Sequence, residues 1–295
     1  MSTSAKQGLV RSLGLTQAEL AEIEQLAAIC NKHDKSDLKL NWGTLRSRPQ
    51  NEINDFLYYE DDALVGYLAL FSFNSREAES SGMVHPSHRR KGIFTTLFQA
   101  AEEECRRRGI PQILFIIGHT YKAGLAFAKA FGMRYHHSEY KMVLKEPRLS
   151  VKFNGHLQFR LAKVEDAPVL AHITAVAFDL DETEVDWYSE QKLQDSARRY
   201  YVALLDDVYI GKIDVSLDEQ EAFIYGFAVL PAFRGRGYGR QILAKTLQEI
   251  LRRDADVPRW RWQPIIKMLS RFINPVASKK PAAMNTITTT CGERN

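Results

Sequence analysis

Cysteine is scarce. Cys30, Cys105 and Cys291 are the only three in 295 residues, and they lie far apart. Neither metal-ligand spacing nor a disulfide framework results, which suits a reducing cytosol and predicts no metal. Long apolar runs are also missing. The longest, residues 113–117, is far too short to span a membrane. Residues 1–7 are polar with no apolar core after them, so no secretory leader is expected and the cytoplasm is the predicted location. Charge of one sign is nearly balanced: 40 basic and 36 acidic residues leave +4. That excess makes no case for nucleic acid. The length suits two domains, each with a core of its own.

The most informative stretch is 222–243, AFIYGFAVLPAFRGRGYGRQIL. Residues 223–230 are uncharged and rich in aromatic and β-branched side chains. Pro231, which has no N–H for a ladder, bounds them, so the spacing predicts a buried strand. Ile242, Leu243, Leu247, Ile250 and Leu251 then recur at helical spacing. Arg234, Gly235, Arg236, Gly237, Tyr238, Gly239 and Arg240 therefore join a strand to a helix N-terminus. Unpaired N–H groups, the helix dipole and glycine backbone suit an anion there. The Gly spacing is wrong for a dinucleotide fingerprint, and no Gly-Lys-Ser/Thr follows to make a Walker loop. A plain surface turn with solvated arginines is the alternative.

This stretch resembles the acetyl-CoA loop of the GCN5-related N-acetyltransferases (GNAT), Arg/Gln-x-x-Gly-x-Gly/Ala, with Arg234, Gly237 and Gly239 in its places. The resemblance implies that the loop N–H groups bind the CoA pyrophosphate. It also implies that the strand end, Phe227, Ala228 and Val229, pairs with the pantetheine arm. An amine acceptor attacks the thioester directly, so no nucleophilic cysteine is needed. A carboxylate or a water wired to one usually serves as base. Tyr225 and Glu221 are the candidate catalytic residues, with Asp214 also near the central strands.

The first half follows the same order. Thr16 is an expected N-cap with Glu19 three residues on. Strands are expected at 55–59 and 64–73, a helix to Arg108, a strand at 112–117 and a helix at 123–131. Arg89 and Gly92 keep the loop, but Phe94 fills the last Gly/Ala place, where its ring is expected to crowd a pyrophosphate. Ala128 occupies the place of a family Tyr that often protonates the departing thiolate, and Ala cannot do so. The first half thus reads as structural or substrate-shaping, and His85, His88 and His119 as solvated loop residues. In the second half the acidic loop 181–188 offers Asp181, Glu182, Glu184 and Asp186 to an amine, or is simply solvated.

After Leu251 the family's closing strand, Tyr helix and last strand do not appear in the sequence. Read from the third base of each codon, however, the tail permits them. Met268 into Leu269 then gives Ala or Val, and Phe272 into Ile273 gives Tyr or His. One permitted reading, EVATDNKNALSLYQSCGFKE, carries the missing motif with its Tyr. A shift of reading frame near residues 256–260 accounts for this, and 256–295 is then expected to be disordered or poorly packed.

The expected architecture is α/β (α+β): two tandem GNAT domains, each a mixed, mostly antiparallel sheet flanked by helices, the second incomplete at its C-terminus. The first covers 1–146, the second 151–255, and the aberrant tail 256–295. The implied activity is acetyl-CoA-dependent transfer of an acetyl group to a primary amine, either a small molecule or a protein N-terminus, by a monomer or homodimer. The alternative is a non-catalytic tandem module that binds CoA or a partner.

Overall fold

The computed structural model describes residues 5–48, 50–72, 75–118, 121–144, 151–185, 188–195, 197–217, 221–253, 265–270 and 282–290. It divides into two compact units: Met1–Glu139 with Ala283–Asn295, and Tyr140–Ala282. The division thus differs from the boundaries read from the sequence.

The first unit runs β1 (Gly8–Ser12), α1 (Gln17–Asp34), α2 (Trp42–Arg46), β2 (Asp55–Glu60), β3 (Ala63–Ser72), β4 (Glu77–Val84), α3 (Ile93–Arg107), β5 (Gln112–Gly118) and α4 (Lys122–Ala130), and then enters β6 (Arg134–Leu144). Local chemistry sets several of these bounds. Thr16 and Glu19 form the expected capping box at the start of α1, and Lys35 in the left-handed region ends it. Asp61 and Asp62, both at positive φ, make the tight turn between β2 and β3. β1 to β4 are antiparallel neighbours, and β4 pairs β5 in parallel. One face buries Leu97, Phe98, Ala101 and Cys105 of α3. The other buries Ile23, Leu26 and Cys30 of α1.

The second unit repeats this plan: β7 (Leu157–Leu161), α5 (Ala167–Phe178), α6 (Glu190–Leu193), β8 (Arg198–Leu205), β9 (Val208–Leu217), β10 (Glu221–Val229), α7 (Tyr238–Arg253) and β11 (Ile265–Ser270). Asp206 and Asp207 reproduce the paired positive-φ turn. β7 to β10 are antiparallel and β10 pairs β11 in parallel. α7 packs Ile242, Leu247 and Ile250 on one face, and α5 packs Leu170 on the other.

The last strand, β12 (Ala282–Thr290), pairs antiparallel with β5. β11 and β12 thus lie within 256–295, the segment expected to be disordered or poorly packed. Each satisfies its backbone groups by joining a ladder, which asks little of side-chain identity. The rest of that segment lies outside the described residues.

Candidate active site

In the second unit the strand–loop–helix stretch forms as the pattern predicts. β10 ends at Val229, a single 3-10 turn covers Pro231–Phe233, and α7 begins at Tyr238. Gly235 and Gly237 hold φ of +76° and +81°, conformations that a side chain would strain. Arg234 donates from Nε to the Val229 carbonyl at 2.8 Å, tying the loop back to the strand. Among the described residues no carboxylate pairs with Arg234, Arg236 or Arg240. These three cations stand beside the first-turn N–H groups of α7.

Two features shape the strand. Its ladder to β11 runs only over Glu221–Ile224, so Tyr225, Gly226, Phe227, Ala228 and Val229 have no strand partner on that side among the described residues. Its ladder to β9 jumps from Tyr225↔Asp214 to Ala228↔Lys212, with Gly226 at φ +53°. Gly226 and Phe227 thus stand against Ile213 alone, as a β-bulge. The open edge offers alternating N–H and C=O groups to an extended, amide-bearing chain.

A polar cluster lies beneath the bulge. Tyr200, Asp214 and Tyr225 are cross-strand neighbours on β8, β9 and β10. Lys212 Nζ donates to Asp214 Oδ2 at 2.7 Å and to the Gly226 carbonyl at 2.8 Å. The Tyr188 hydroxyl donates to Asp214 Oδ2 at 3.3 Å and lies 2.8 Å from Thr174 Oγ1. Burial pushes the Asp214 carboxyl up and the Lys212 ammonium down, and the attraction between them opposes both shifts. Burial and then the Asp214 charge push the Tyr225 phenol up, so it keeps its proton at neutral pH.

Two of the acids of loop 181–188 have partners of their own. Asp181 accepts from the Thr183 N–H at 2.9 Å, and Glu182 pairs with His172 at 3.2 Å. Asp186 and His119, and the side chains of Glu184 and Glu221, lie outside the described residues. Among the described residues of that loop, Tyr188 reaches the cluster. Sequence reasoning missed Lys212, Tyr188 and Gly226. The available signals were a lone lysine inside the apolar β9 and a glycine inside an apolar strand, which suggests a bulge.

The first unit's loop differs. Arg89 Nε donates to the Val84 carbonyl at 2.9 Å, as Arg234 does to Val229, but its two terminal nitrogens bind Asp34 at 2.8 and 2.7 Å. The β3–β4 ladder has no bulge. Phe94 does not project over the loop as expected. Its ring turns inward onto Phe115 and Phe127, with centroids 5.8 and 4.8 Å away. A Cβ on Gly82 would lie 2.9 Å from that ring. The second unit exchanges the two places: the strand carries Phe227, and the helix carries Gly239, whose Cβ would lie 3.5 Å from the Phe227 ring. His85 Nδ1 meets Ser87 Oγ at 2.8 Å, and His88 Nε2 lies 3.4 Å from Glu60.

The model of the acetyltransferase (GNAT) family matches residues 18–133 and 167–262. No curated protein matches the sequence. Among solved structures, a GCN5-related N-acetyltransferase from Sphaerobacter thermophilus is similar, at 16% identity and a TM-score of 0.74, covering 98% of this chain and 97% of its own. A tandem GNAT protein from the clavulanic acid biosynthesis pathway matches at 16% identity and a TM-score of 0.67, covering 97% and 100%. A glucosamine N-acetyltransferase region of a fungal multi-domain β-N-acetylglucosaminidase matches at 15% identity and a TM-score of 0.68, covering 97% and 38%.

Proposed function

The chain belongs to the GNAT acetyltransferase family, and from that membership we propose that it transfers an acetyl group from acetyl-CoA to a primary amine at its second unit. The observation that carries this reading is the bulged strand, whose far edge and following glycine-loop arginines have no strand or acidic partner among the described residues. Loop N–H groups from Gly235 to Arg240 hold the pyrophosphate. Phe227, Ala228 and Val229 pair with the pantetheine arm, which brings the thioester to the bulge.

The acceptor nitrogen attacks the thioester carbonyl carbon. The C–N bond forms, the C–S bond breaks, and the thiolate leaves. Tyr225, protonated at neutral pH, suits donating a hydrogen bond to that thiolate rather than acting as base, and the thiolate takes its proton from solvent where the family Tyr is missing. Glu221, four residues earlier on the same strand, is the proposed acceptor of the ammonium proton. The substrate is a small amine or a protein N-terminus, and the chain works as a monomer or homodimer in the cytoplasm. In keeping with this, Cys30 and Cys105 are free and buried, and no described helix is long and apolar enough to cross a membrane.

Ala128, buried in the first unit at the family's Tyr place, favours a second reading, a module that binds CoA without turnover. Titration with acetyl-CoA and assay of free thiol against a panel of primary amines separate the two. The proposal expects one acetyl-CoA per chain, amine-dependent thiol release, and loss of both in Gly237→Trp, whose indole fills the loop. Binding without thiol release supports the module. No binding at all overturns both.

A further inference from the structure

Lys212 is a buried charge in the second unit that packing does not explain. It sits in the middle of β9 between Gly211 and Ile213, and its side chain is 0% exposed; Asp214, its partner, is 2% exposed. A buried ion pair is a weak stabiliser, because both charges leave water, so stability alone does not account for it.

Its geometry supplies a reason. The ammonium bridges Asp214 Oδ2 and the carbonyl of Gly226, the bulge residue. The pair also fills the space beneath that residue. A Cβ on Gly226 would lie 2.3 Å from Asp214 Oδ2 and 2.8 Å from Lys212 Nζ. Tyr188 completes the support, its ring centroid 5.1 Å from Nζ. The first unit provides an internal control. Tyr67 faces Met83 there as Lys212 faces Ala228, Ala69 stands beside Asp55 as Asp214 stands beside Tyr200, and the β3–β4 ladder runs straight. The bulge and the Lys212–Asp214 pair occur together in the second unit. In the first, the straight ladder carries Tyr67 and Ala69 at those places, and the buried charge there, Asp55 with Arg48 and the Tyr67 hydroxyl, lies on the β2 side and reaches no β4 carbonyl among the described hydrogen bonds.

We propose that Lys212 and Asp214 are positioning residues: a buried ion pair that fixes the bulge of β10 and so aims the Gly226–Val229 backbone at the pantetheine arm and thioester. This rests on the reading of the second unit as the acetyl-CoA site. The pair acts through the backbone and touches no substrate. Its specific consequence is that the bulge, not the fold, depends on the two charges.

The test replaces both charges with apolar groups of similar size, Lys212→Met with Asp214→Leu. Such replacements are often neutral or stabilising, so the melting temperature is expected to hold or rise. Acetyl-CoA affinity is expected to fall at least about tenfold, and the amide shifts and hydrogen exchange of Gly226 and Phe227 are expected to change in the free protein. Gly226→Ala, which drives a methyl into the pair, should weaken acetyl-CoA binding similarly. Acetyl-CoA affinity within about twofold of wild type in the double variant or in Gly226→Ala overturns the proposal, as do unchanged amide signals at Gly226 and Phe227. Wild-type protein that fails to bind acetyl-CoA overturns the functional reading instead. The amide signals then still decide whether the pair holds the bulge.

Discussion

Two buried carboxylates show how donors, rather than burial alone, set the charge of a side chain. Asp166 accepts from both terminal nitrogens of Arg160 at 2.6 and 2.9 Å, from the Lys163 N–H at 2.7 Å and from the Tyr209 hydroxyl at 2.6 Å. The Arg160 hydrogen bonds, outweighing burial, hold its carboxyl well below the usual range. Asp55 accepts one hydrogen bond among the described residues, from Tyr67 at 2.6 Å, with Arg48 at 3.3 Å; burial wins and pushes it up. For Asp166 the folded value is depressed. Its contribution is therefore complete above the unfolded value of about 4 and is lost as pH falls through the lower folded value. Asp166→Asn is expected to cost about 2–3 kcal/mol at neutral pH. The variant should also lose less stability than the parent between about pH 4 and 2. Urea melts of both proteins across that range measure both effects. A variant as stable as the parent at neutral pH contradicts the assignment.

At the scale of elements, the first unit's strand and helix are fitted to each other by one ring. Phe94 packs on Phe115 and Phe127 and lies over Gly82, so Phe94→Ala is expected to cost about 3 kcal/mol in cavity and lost contact. Gly82→Ala meets two obstacles, the Phe94 ring at 2.9 Å and the Tyr67 carbonyl at 2.8 Å. It should cost about 1–3 kcal/mol, and truncating Phe94 should relieve only part of that, because the carbonyl remains. A double-mutant cycle by chemical denaturation measures the coupling, and full relief would show that the ring alone excludes a side chain there. Where the information was local, these elements were legible beforehand: the Thr16 cap with Glu19, the loop glycines, the apolar stripe of α7. The direction of the Phe94 ring depends on Gly82 and Phe127. The bulge depends on a lysine on the next strand. Neither follows from the spacing of residues along one element.

At the scale of the whole molecule, the tail is where sequence and structure part. The family match runs through residue 262, and β11 beside β10 takes the place of the strand that the fold requires after α7. Strand pairing needs only backbone and a tolerable pattern, so Ile265–Ser270 can fill that place whatever frame encoded it. The family motif needs particular side chains, and the chain as written carries no Tyr after Tyr238. The same codons read one frame over permit that Tyr where Phe272 meets Ile273, and they allow Gly and Phe after it. We propose a shift of frame near residues 256–260, which predicts that sequencing codons 250–265 of the gene finds a single-base neighbour that restores the whole motif. A gene with no such one-base relative overturns it. The restored chain should melt at a higher temperature, because its last elements then bury apolar side chains selected for that core. It should also release thiol from acetyl-CoA faster, since it regains the Tyr that the first unit replaces with Ala128. Equal melting temperatures and equal rates for the two chains would mean that the present tail serves the fold as well as the encoded alternative.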